Sequence, residues 1–160
     1  MEINLFTEKE IRELEDDIKL SEGERFVPYD DATGKPIKDG DQIKGYPTIA
    51  VGFKLSDTDN IVKISQYTSR TLLRGAVFTA IIDFLKIFGE AGLDYPKEKR
   101  NVLIEFCYCN GGKRAAKYKK MIAAVKIGDW NQAAIEMQDS AWGHSPAKNR
   151  VKKMADILSS

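Results

Sequence analysis

The chain has 160 residues, 42% of them hydrophobic and 31% charged, about one domain at a prior of about 150 residues per domain and long enough to bury a core without metal or disulfide staples. Lys and Arg number 25 against 24 Asp and Glu, a formal charge of +1 that argues against a protein whose main business is coating nucleic acid or anionic lipid. One histidine and two cysteines are too few for most metal sites and for Ser-His-Asp chemistry, so no cofactor is expected.

In chain order, Thr7 can cap a first helix, Glu10 sits three positions later for a capping box, and Phe6 can staple onto Ile11. The N-terminal stretch lacks the basic and apolar regions of a secretory signal, so the expectation is synthesis in a cytoplasm with export only through another factor. Ile11, Leu14 and Ile18 recur at helical spacing and Gly23 supplies the stop. From Val27 to Leu55, Pro, Gly, Asp and Tyr punctuation between short β-prone runs reads as a small sheet. From Thr68 onward the pattern is helical. Thr71–Phe88 is very apolar, but Arg74, Asp83 and Lys86 would each cost about 2.5 to 3.5 kcal/mol at a bilayer centre, so it reads as a core helix, with membrane contact the lesser reading. Further helices are predicted at about Lys97–Cys109, Ala115–Lys126, Asp129–Gln138 and Ser145–Leu158. The fold class is α+β, a small N-terminal β lobe (about 1–67) and a larger helical lobe (68–160) in a single domain.

Glu22 falls eleven residues beyond Ile11, close to three turns at 3.6 residues per turn, so a carboxylate continues the apolar stripe. An apolar flank and the carbonyl end of a helix both disfavour its charge, which suits a proton donor. Taken by helix position alone, a frayed and solvated last turn explains Glu22 as well. Asp31 follows nine positions later and brings a second carboxylate to the same region, the minimum equipment for glycoside hydrolysis. Thr48–Phe53 reads as a strand with Ile49, Val51 and Phe53 on an apolar face and the small residues Thr48, Ala50 and Gly52 on the other. A sugar chain would fit along that small-residue face, and a strand with one face in the core and one in solvent explains the pattern equally well.

Leu20-Ser21-Glu22-Gly23-Glu24-Arg25, then Tyr29-Asp30-Asp31 with Gly34, then Thr48-Ile49 with Gly52, resembles the Glu…Asp…Thr signature of phage-type lysozymes, the T-even-type endolysins. Near the C-terminus, Gly128-Asp129-Trp130-Asn131-Gln132-Ala133-Ala134, Ser140-Ala141-Trp142, Ser145-Pro146 and Asn149-Arg150 are similar to the helical lobe of that family. The resemblance implies a lysozyme-like fold, two lobes joined by a long helix. It also implies hydrolysis of the β-1,4 bond between N-acetylmuramic acid and N-acetylglucosamine of bacterial peptidoglycan by a monomer that needs no nucleic acid. Glu22 would be the proton donor, Asp31 the carboxylate acting on water or on the oxocarbenium ion, and Thr48 the water-positioning hydroxyl. Arg150 matches the arginine that pairs with the glutamate, Tyr108 an aromatic cleft position, Gly52 the strand glycine, and Met121 and Glu136 two further cleft positions. The enzyme would act on the wall after release from a host cytoplasm, or be carried in a virion.

Two departures stand out: Ala50 replaces a glycine and Phe53 a histidine of the family pattern. They motivate a second reading, a lysozyme-fold virion or wall-binding protein without turnover. The 17-residue step from Asp31 to Thr48 implies an enlarged hairpin around Lys35–Lys44. Cys107 and Cys109 point to different sides of a helix and read as buried free thiols. Trp130 and Trp142 read as core anchors, His144 as a solvated turn residue, and Lys113–Lys120 as a basic helix face or an attraction for anionic wall polymers.

Overall fold

The computed structural model describes residues 5–38, 40–55 and 64–160 and is α+β. In chain order these residues form α1 (Glu8–Glu22), β1 (Arg25–Asp30), β2 (Pro47–Ala50), β3 (Phe53–Lys54), α2 (Gln66–Phe88), a 3₁₀ turn (Glu90–Asp94), α3 (Lys97–Asn110), α4 (Gly112–Ala115), α5 (Lys119–Lys126), α6 (Trp130–Gln138) and α7 (Lys148–Ser159). Two compact units share them, residues 6–76 and residues 77–160 together with Leu5, with a division inside α2.

In residues 6–76, α1 begins as its sequence requires. Thr7 Oγ1 accepts from the Glu10 N–H at 3.2 Å while Glu10 Oε2 accepts from the Thr7 N–H at 2.9 Å. Ile11, Leu14 and Ile18 are buried, and Gly23 at φ 74 ends the helix directly after Glu22. Glu15 is also buried on this face, at 2% exposure, because Arg74 answers it from α2 with Nε 2.6 Å from Oε1. The same guanidinium reaches Glu8 at 2.9 Å, and the two carboxylates hold Arg74 above its already high ordinary value.

The three strands form one antiparallel sheet in the order β1-β2-β3. Tyr29 pairs with Thr48 and Arg25 with Ala50, so β1 carries extra residues between them. Pro28 has no N–H for the ladder, and the carbonyls of Phe26 and Pro28 instead accept from Ile64 and Ile37, both at 2.9 Å. The single strand expected over Thr48–Phe53 is corrected: β2 stops at Ala50, and a tight turn through Val51 and Gly52 returns the chain as β3. Alternation therefore fails. Ala50 and Thr48 are buried beside Ile49, while Phe53 lies 42% exposed instead of in the core. Ala50 holds the left-handed φ of 58, a conformation that costs a residue with a Cβ about 1–2 kcal/mol. Ile49, Ala50 and Leu55 pack with Ile64 and Leu72 under the sheet.

Residues 77–160 are helical. Phe84, Leu103, Ile104, Phe106, Val125, Met137, Val151 and Leu158 form the fully buried core, with α6 packed on α5 and α7. Trp142 is buried against Phe106 as a core anchor, whereas Trp130 is only half-buried, edge-on to Tyr95 at 5.2 Å. The helix expected over Ala115–Lys126 is broken. Tyr118 sets its ring edge-on to Phe106 at 5.0 Å, and the chain makes a turn with Tyr118 N–H bonded to Ala115 O before α5 starts. The last helix starts at Lys148 instead of Ser145, because Ser145 Oγ is occupied as a turn residue, donating to Trp142 O at 2.6 Å. α2 is less enclosed than expected, since Phe78 and Ile82 are 48% and 43% exposed. No described helix is long and apolar enough to cross a membrane.

Candidate functional site

Glu22 is the last residue of α1 and is half-buried. The positive φ of 74 at Gly52 turns the backbone beneath it, and a Cβ at Gly52 would sit 3.5 Å from Glu22 Oε2, in ordinary contact. Gly52 thus backs the carboxylate closely, which the strand pattern alone did not indicate. The segment after Glu22 is tied down by Glu24, which accepts from Ser69 Oγ at 2.6 Å and pairs with Lys19 at 3.2 Å.

Asp31 begins the loop between β1 and β2. Its Oδ1 accepts from the Tyr46 N–H at 2.6 Å, and its own N–H donates to Tyr46 O at 3.1 Å. Lys54 Nζ lies 3.9 Å from Asp31 Oδ2 and 4.0 Å above the Tyr46 ring. Gly45 is required here for space, not for φ: a Cβ would overlap Asp31 Oδ1. Thr48, 3% exposed, donates its hydroxyl proton to the same Tyr46 O at 3.0 Å. Tyr46 backbone groups therefore tie Asp31 to Thr48. With its proton so placed, the Thr48 oxygen keeps lone pairs to accept from a water.

Tyr29 lies within electrostatic reach of both carboxylates. Burial raises its hydroxyl above the ordinary tyrosine value, the Arg25 guanidinium 4.6 Å from its ring opposes this, and the negative charges of Glu22 and Asp31 both add to the rise. One phenol thus feels both candidate acids. Tyr29, Tyr46 and Lys54 carried no role in the sequence reading; Tyr29 stood beside the acidic pair, whereas nothing near Tyr46 or Lys54 in sequence signalled Asp31.

The remaining candidates belong to residues 77–160. Arg150 on α7 donates from Nη1 to Cys109 Sγ at 3.2 Å, and Tyr108 is half-buried on α3. Glu136 on α6 accepts from Gln132 Nε2 at 3.0 Å and lines a pocket of about 500 Å³ with Arg114, Lys117, Tyr118, Met121 and Asp139. The basic run is therefore one wall of a pocket, not only a solvated face. Cys107 and Cys109 are unbridged, and burial, helped by Asp83, pushes the Cys107 thiol up to about 12. Cys109 is only partly buried, contrary to expectation, and its sulfur accepts from Arg150. His144 is exposed, with Nδ1 2.9 Å from Ser140 O. No group of three or more His, Cys, Asp or Glu among the described residues is disposed to hold a metal.

Compared with known protein families and with curated proteins, the sequence finds no match.

Proposed function

We propose that the chain is a lysozyme-like peptidoglycan hydrolase, a muramidase of the phage type that cleaves the β-1,4 bond between N-acetylmuramic acid and N-acetylglucosamine by general acid and base catalysis. The observations that carry this reading are Gly52 close against Glu22 and Asp31 joined to Thr48 through Tyr46, and the charges of both carboxylates reach the Tyr29 hydroxyl. Glu22 protonates the leaving glycosidic oxygen. Asp31, held by the Tyr46 N–H, meets the positive charge that develops on the sugar or activates a water. Thr48 accepts a hydrogen bond from that water and turns its lone pair toward the anomeric carbon. The resemblance alone would give Glu136 and Tyr108 a part in binding and Arg150 the support of the acid. The substrate is wall peptidoglycan, reached after release from the cytoplasm of synthesis, and the working unit is a monomer with no cofactor.

The test is release of reducing sugar from purified peptidoglycan, or clearing of chloroform-treated Gram-negative cells. Glu22→Gln is expected to lower the rate at least about 100-fold with the fold intact. Activity that survives the substitution overturns the assignment. The exposed Phe53 and strained Ala50 favour one second reading, a wall-binding or virion protein of the same fold. Retention on insoluble peptidoglycan without cleavage by the wild-type chain would decide for it.

A further inference from the structure

Asp30 and Asp31 stand side by side in sequence, yet their surroundings differ. Asp30 is 6% exposed, whereas the Asp31 side chain is 33% exposed. Three consecutive backbone N–H groups converge on the pair. Those of Lys44 and Gly45 donate to Asp30 at 2.9 Å each, and that of Tyr46 donates to Asp31. Ala32 N–H adds a further bond to Asp30 Oδ1 at 3.0 Å, so Asp30 grips both ends of the loop spanning residues 31–46. These bonds, Lys44 foremost, hold Asp30 below the ordinary carboxylate range although burial opposes them.

The segment 44–46 lies so close to Asp31 that Gly45 has no room for a Cβ against Asp31 Oδ1. The direction of the Asp31 carboxylate therefore follows the position of that segment. We propose that Asp30 is the positioning residue for Asp31: by accepting the N–H groups of Lys44 and Gly45 it sets the next N–H, that of Tyr46, where it aims the exposed carboxylate. The catalytic part of this inference rests on the reading of Asp31 as a catalytic carboxylate; Asp30 itself stays off the substrate. An ionised carboxylate is needed because it accepts through both oxygens, whereas an amide would turn an NH₂ group toward the Lys44 N–H. Segment 44–46 thus supplies two donors that hold Asp30 and the one that holds Asp31.

The experiment combines amide hydrogen exchange with turnover on purified peptidoglycan, using the full chain and the variants Asp30→Ala, Asp30→Asn and Asp31→Ala. In Asp30→Ala, protection is expected to fall at Lys44, Gly45 and also Tyr46, whose acceptor is Asp31. Asp31→Ala should lose protection at Tyr46 alone. Turnover of Asp30→Ala should show kcat lowered about 10- to 100-fold with KM within about twofold, and Asp30→Asn should lie between it and wild type. Wild-type protection at Tyr46 in Asp30→Ala, or an unchanged kcat, overturns the proposal. A wild-type chain without turnover overturns the muramidase reading instead, and the Tyr46 amide then decides whether Asp30 holds Asp31.

Discussion

Residues 6–76 and residues 77–160 both bury apolar cores but differ in how much they lean on charged groups. The first unit fixes its shape with carboxylates: Glu15 takes Arg74, Asp30 takes three backbone N–H groups, and Asp31 takes a fourth. The second relies on aromatic and aliphatic side chains closed around Phe106, Met137 and Leu158. Charge follows the same division, with 14 acidic and 11 basic side chains in residues 6–76 against 9 and 14 in residues 77–160. The near-neutral total is a sum of opposite signs, so its argument against polyanion binding holds for the chain as a whole and not for the basic pocket wall at Arg114 and Lys117. Directional polar bonds position groups for chemistry, whereas close-packed apolar contacts hold a scaffold.

That contrast can be broken or sharpened by substitution. The largest loss is expected in the helical unit, where Phe106→Ala should cost about 3–5 kcal/mol, read as a fall in the denaturant midpoint. Next is Arg74→Met, which leaves the buried Glu15 with Arg70 at 3.7 Å as its remaining ion pair; chemical denaturation should show a loss of about 1–3 kcal/mol. Replacing Glu15 and Arg74 together by Leu and Met should recover most of that loss, since an apolar pair leaves no buried charge. Gly52→Ala forces a Cβ into the left-handed region beside Glu22 and should cost about 1 kcal/mol while also lowering turnover. Smallest is the acid response. Because Asp30 is held below its ordinary value, its contribution is present above the unfolded carboxyl value near pH 3.9 and is lost as pH falls through the folded one. Protection of the Lys44 and Gly45 amides, taken relative to their intrinsic exchange rates, should therefore fall below about pH 4 in wild type and become independent of this titration in Asp30→Ala.

Much of the local structure was legible in the residues. The capping box at Thr7 and Glu10, the buried stripe of α1, the stop at Gly23 and the Asp129 cap, which accepts from the Gln132 N–H at 3.0 Å, are short-range physics in which a side chain meets a backbone group three or four positions away. Where long-range contacts compete, the pattern misled. The alternation of Thr48–Phe53 describes a strand well, yet the chain turns at Val51 and Gly52 because Phe53 and Lys54 pair back onto Ile49 and Thr48. The continuous helix expected over Ala115–Lys126 gave way to the packing of Tyr118 on Phe106.

The sequence by itself determined the α+β class and the helical periodicities, because these follow from composition and from interactions between near neighbours in the chain. Only the tertiary structure decided that Asp30 is gripped by Lys44 and Gly45 while Asp31 stands partly open beside Tyr46 and Lys54. Two adjacent aspartates carry the same charge and the same side chain. What separates them is which distant backbone N–H groups the closed loop brings within hydrogen-bond reach, and no local pattern encodes that.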